Sequence, residues 1–148
     1  MDRPRILLSP SVGTSVETYR ARCTTDPDYM GRCQGSFTRS GGEWEAVRHA
    51  ARFVVNDDPT GCDDAYARAQ VAAADAPGSP DAHSFISSNQ RTMAELTITL
   101  DWCWDALEPT ERDWLIDRAV TYADWYLGNS PPDVALSLAC HGSIWALY

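Results

Sequence analysis

Between about Asp81 and Leu107 the apolar residues Met93, Leu96, Leu100, Cys103 and Leu107 step by three and four. That period belongs to one face of an α-helix and excludes a strand, whose faces alternate every second residue. A second face of the same stretch carries Ala94, Ile98 and Trp102. A helix apolar on two sides is covered on two sides, so this segment must lie inside a helical assembly. Pro109 ends it and suits the first turn of a following helix.

The same grammar of helix, Pro/Gly break and helix runs along most of the chain. From Ser40, spaced with Glu43 as a capping box, Trp44, Val47, Ala51, Val54 and Val55 recur at helical spacing until Asn56-Asp57-Asp58-Pro59. Thr60 and Asp63 repeat the cap pattern ahead of an Ala stripe at 65, 69, 72 and 73, which suits close helix packing. Ala76-Pro77-Gly78-Ser79-Pro80 is a break. Beyond Pro109, Glu111 and Asp113 complement a helix N-terminus. Leu115, Ala119, Tyr122 and Tyr126 form one stripe of that helix, and Ile116, Val120, Ala123 and Leu127 a second. Gly128-Asn129-Ser130-Pro131-Pro132 closes it, and Asp133 caps a further helix reaching Tyr148. Residues 1–42 read as an irregular arm, rich in Gly, Ser, Thr and Pro, with room for a short helix from Val16 to Arg22. The expected fold is all-α: about five helices, antiparallel because their connections are short, in a helical domain over residues 43–148.

Charge narrows the partners. The net charge is −9, and all 12 basic residues are Arg. An acidic chain lacks the basic face that phosphate backbones require, which argues against nucleic acid. No apolar run approaches the roughly 20 residues of a membrane helix. Ile6-Leu7-Leu8 is too short for a signal-peptide core, so the cytoplasm is the default location unless a leader precedes Met1. The five cysteines, at 23, 33, 62, 103 and 140, contain no C-x-x-C pair. Cys103 and Cys140 lie in apolar helical surroundings and read as inert core thiols. Cys23 and Cys33 bracket a loop and can pair if the chain is exported.

Leu96-Thr97-Ile98-Thr99-Leu100-Asp101-Trp102-Cys103-Trp104-Asp105-Ala106-Leu107-Glu108-Pro109-Thr110-Glu111-Arg112 resembles a hairpin of heparinase II/III-like and alginate lyases. In those proteins an apolar helix ends in a segment similar to YDWLYDALTPEER. Here Leu stands for the first Tyr, and Cys and Trp for the following Leu and Tyr. Arg3-Pro4-Arg5-Ile6-Leu7-Leu8 is similar to their HPRLLL opening, and Ala139-Cys140-His141-Gly142-Ser143-Ile144-Trp145 to an NNHGSW segment, without its two Asn. The resemblance covers roughly 95–148 and the first eight residues. It implies the first hairpins of an α/α toroid, in a family often exported, acting on uronic-acid glycans by β-elimination without a cofactor. The family's remaining catalytic Tyr and His fall beyond Tyr148. The apolar ending Ile144-Trp145-Ala146-Leu147-Tyr148 accordingly anticipates a protein partner, or further chain, packing on the last helix.

Under that resemblance His141 is the catalytic candidate, because an imidazole titrating near neutrality can neutralise a uronate or take its proton. Arg91, Trp102 and Trp145 are the substrate-binding candidates, one for charge and two for stacking on sugar rings. Each has a plainer reading as a solvated or core side chain. Asp101 and Asp105 fall one helical turn apart and suit bracing a neighbouring helix. His49 and His83 have no ligand-like partner four residues on, so no metal site is expected. The alternative to a lyase is a non-catalytic helical module that binds carbohydrate or serves structure and protein contacts.

Overall fold

The computed structural model describes residues 16–25, 44–78 and 87–129. Five helices occupy them: α1 (Val16–Thr25), α2 (Glu45–Asn56), α3 (Gly61–Ala72), α4 (Ser87–Trp102) and α5 (Pro109–Asn129). The described residues are all-helical and contain no strand. No helix among them is long and apolar enough to cross a membrane. The helix expected after Asp133 lies outside the described residues.

Cross-helix contacts fix the directions. Glu45 of α2 pairs with Arg68 of α3, and His49 with Asp64. The start of α2 therefore meets the end of α3. Cys62 at the start of α3 bonds Cys103 just past α4, while Thr92 near the start of α4 donates to the Ala72 carbonyl at 3.3 Å. Consecutive helices α2, α3 and α4 are thus antiparallel, as short connections dictate. α5 returns along α4, and α1 packs on α2.

Three of the four alanines expected to form a stripe on α3 enter the core, and Ala72 is half-buried. Ala65, Ala69 and Ala73 are buried against Ala46 and Ala50 of α2, so two helix backbones approach closely. Gly61 marks the tightest point: a β-carbon there would lie 2.7 Å from both the His49 oxygen and the Phe53 nitrogen. α4 is the centre, with every residue from Thr92 to Asp101 buried except half-buried Ala94. Met93, Leu96, Leu100, Cys103 and Leu107 all enter one core cluster, with Leu115, Ala119 and Tyr122 of α5. Of the other expected stripe of α5, Ile116, Val120 and Leu127 are exposed and only Ala123 is buried.

α5 grips the break after α3 with one face. Arg118 donates to the Ala73 carbonyl, Tyr122 Oη donates to the Asp75 carbonyl at 2.9 Å, and the Trp125 indole lies over Gly78. These three side chains are spaced by four and three residues, so they share a side of the helix. Gly78 has φ +79° and no room above it, which is why glycine stands there. Tyr122→Phe removes the hydroxyl and leaves the Asp75 carbonyl unpaired. It should lower stability by about 1 kcal/mol, read as a lower urea midpoint at unchanged slope; an unchanged midpoint would show that this clamp contributes nothing.

Several helix ends differ from expectation. The structure describes α2 only from Trp44, so the Ser40/Glu43 capping box lies outside the described residues. Trp44 is no core residue: it is the N-cap, left-handed at φ 67° and 42% exposed. Thr60 makes no side-chain cap; Asp58 instead accepts from both the Thr60 amide, at 3.1 Å, and its hydroxyl, at 2.9 Å. α4 stops at Trp102 rather than Leu107, and residues 103–106 form a turn. The apolar period continues through that turn because its side chains still face the core. Asp105 is exposed there while Asp101 is buried on α4, so the two do not share a helix face. Pro109 does open α5, and Glu111 reaches back to accept the Glu108 amide at 2.9 Å, the carboxylate half of a capping box.

The largest correction concerns Cys103. It is not a free thiol but is bonded to Cys62 across 41 residues. Cys23 is disulfide-bonded too; Cys33, its expected partner, and Cys140 lie outside the described residues.

Candidate functional site

Arg91 stands in the second turn of α4. Its guanidinium Nε lies 3.6 Å from Oε1 of Glu95, one turn further on, and its side chain is half-buried. Glu95 is only 3% exposed. Its Oε2 accepts the Ala46 amide of α2 at 3.1 Å, and the Trp44 backbone bonds the same carboxylate. The first amides of a helix have no internal partner, and α2 has no side-chain cap of its own. Glu95 serves as that cap from another helix, placing negative charge at the positive end of the α2 dipole. Arg91 completes the set by balancing the carboxylate.

Burial pushes the Glu95 carboxyl above the ordinary glutamate range, against the pull of the Ala46 amide, Arg91 and Trp44. A raised pKa means the folded chain holds a proton that the unfolded chain releases. Stability from this group is full below the unfolded value, about 4.3, and is lost as pH rises through the folded value. Glu95→Gln keeps an acceptor oxygen for Ala46 and removes the titration. Its urea midpoint should fall less than that of the parent between about pH 4 and neutrality; parallel curves would exclude Glu95 as the titrating group.

A second polar constellation lies on the α2–α3 surface. Arg52 donates from Nη1 to His49 Nδ1 at 3.0 Å and pairs with Asp58, while Asp64 lies 3.5 Å from the same imidazole nitrogen. Burial lowers the His49 pKa; Asp64 opposes that and Arg52 reinforces it. The Asp58 carboxyl is held below its usual range chiefly by its hydrogen bond from Arg52. A neutral His49 that accepts at Nδ1 carries its proton on Nε2. Nδ1 is then engaged by Arg52 within the α2–α3 surface. The arrangement ties the α2–α3 hairpin together. Among the described residues no group of three or more His, Cys, Asp or Glu is arranged to hold a metal ion.

The aromatic candidates cluster at the other end of α4. Trp102 is half-buried and packs on the core, as do Trp104, Trp114 and Trp125. The Arg112 guanidinium lies 5.1 Å from the Trp104 ring centroid, and Tyr66 meets Trp114 edge-on at 5.7 Å. Trp104 and Trp114 therefore contact protein neighbours. Arg91 and Trp102 share a side of α4, eleven residues apart, which at 1.5 Å per residue separates them by about 16 Å. The structure does not bring them into one site. His141 and Trp145 lie outside the described residues, as does His83.

Sequence reasoning missed Glu95 and the surroundings of His49. The first had a signal: Arg91 and Glu95 stand at i, i+4 on the helix, with Met93, Leu96 and Ile98 close by Glu95, which marks a charge pair at the edge of the core. The second had half a signal: Arg52 stands three residues on along α2, whereas Asp64 comes from the facing helix. No family model, curated protein or solved structure matches this chain.

Proposed function

We propose that the protein belongs to the machinery that cleaves uronic-acid polysaccharides by β-elimination, with residues 16–129 as scaffold and His141 as the group that meets the substrate. The observation that carries this reading is the hairpin at Pro109. α4 ends in the Asp101-Trp102-Cys103-Trp104 segment, turns within six residues, and α5 packs back along it, the arrangement the lyase resemblance implies. In this chemistry the substrate carboxylate is neutralised, a base takes the adjacent proton, and the glycosidic oxygen leaves with a proton from an acid. His141 would serve the first or second task. Arg91, already paired with Glu95, supplies no free charge, and Trp102 supplies packing. Tests with alginate and heparin should show the ultraviolet absorbance of the unsaturated product, and His141→Ala should abolish it with the helical circular dichroism unchanged. Activity retained in that variant removes His141 from the mechanism; silence of the folded parent on both glycans removes the lyase reading.

One observation favours a second reading. Every described cation and aromatic side chain singled out for substrate is engaged by a protein neighbour, as a non-catalytic helical module would have it. Binding of the same glycans without product would support that module.

A further inference from the structure

We infer that this protein folds in an oxidising compartment, and that forming the Cys62–Cys103 bond is the event that commits α3 to α4. The argument rests on access and on position. Cys62 is 2% exposed and Cys103 is fully buried, so in the folded protein neither sulfur meets a solution oxidant or reductant. The bond must therefore form before α3 closes on α4, while both thiols still reach solvent, and an oxidant must be present during folding. Two thiols lose two protons and two electrons; the acceptor is a disulfide donor, oxidised glutathione or the active-site disulfide of a thiol oxidoreductase, which leaves as two thiols.

The surroundings allow little adjustment. Cys62 follows Gly61, whose backbone is pressed against His49 and Phe53, and Cys103 lies in the same cluster as Leu96, Leu100 and Leu107. A second cystine at Cys23, on a different helix, points the same way independently. All three described cysteines, Cys23, Cys62 and Cys103, are disulfide-bonded. Cytosolic glutathione and thioredoxin keep the thiols of a folding chain reduced, so such bonds rarely form there. The short apolar stretch behind Met1 therefore does not place the protein in the cytosol, and a route to an oxidising space is required.

The test is refolding of the full chain from denaturant in glutathione buffers. In a mostly oxidised buffer it should regain its helical signal and retain one alkylatable thiol after denaturation. In a mostly reduced buffer the unfolding equilibrium constant should be higher by roughly a thousandfold, the loop-closure term for a cross-link of this span converted at about 1.4 kcal/mol per decade. Cys23→Ser, which spares the α3–α4 bond, should retain most of that dependence. Native protein held in reduced glutathione should keep the bond until denaturant is added. Equal stability in both buffers, five reactive thiols in the purified protein, or loss of the dependence in Cys23→Ser would each overturn the inference.

Discussion

Exchanging Cys62 and Cys103 together for alanine should lower the unfolding free energy by about 4 kcal/mol. The bond closes a loop spanning 41 residues. Restricting the unfolded chain by a cross-link is worth about 3 kcal/mol for a 15-residue loop and about 4.7 for a 100-residue loop, and this span falls between them. Against a typical stability of about 5–15 kcal/mol, that loss is a large share of the whole. Both side chains are also part of the core, so their truncation adds to the loss rather than offsetting it. Urea titrations of parent and double variant measure the difference. A change under about 1 kcal/mol would mean that α3 and α4 hold together without the bond.

Gly61→Ala should also destabilise, although alanine is the better helix former. The gain in helix propensity is about 1 kcal/mol. Against it stands a methyl group set 2.7 Å from two backbone atoms of α2 and 2.9 Å from the Phe53 β-carbon. Backbone atoms cannot rotate aside, so α3 must lift off α2 and its Ala65 and Ala69 contacts loosen along the helix. Overpacking of this kind costs typically about 1–3 kcal/mol and occasionally more, and a clash with two backbone atoms belongs at the upper end. The net loss should be about 2 kcal/mol. A variant as stable as the parent would place α3 further from α2 than the structure has it.

The helical architecture was legible in the sequence because it rests on a local rule. The stripe from Met93 to Leu107 and the Pro109 boundary each depend on residues a few positions apart, and both stand in the structure. What was not legible depends on distant partners. Ser and Thr before a helix suggest caps by local chemistry, yet α2 is capped by Glu95, 49 residues away, and Thr60 is held by Asp58 instead of capping. Arg20 on α1 donates to the Val54 carbonyl and pairs with Asp57 at the end of α2, where that helix has no basic residue of its own. Cys103 looked like a core thiol because a buried cysteine and a buried half-cystine have the same apolar neighbours; only the arrival of Cys62 from α3 tells them apart. Of the candidate site, Arg91 and Trp102 were rightly placed on one long helix, but their engagement with Glu95 and with the core follows from packing that no local pattern encodes.

Everything structural above turns on α4 being fastened to the start of α3. Digesting the unreduced protein and identifying cross-linked peptides by mass spectrometry tests that directly. A peptide containing Cys62 joined to one containing Cys103, parting into two on reduction, is the predicted result. Cys62 or Cys103 found as a free thiol, or joined to Cys23, Cys33 or Cys140, would contradict it.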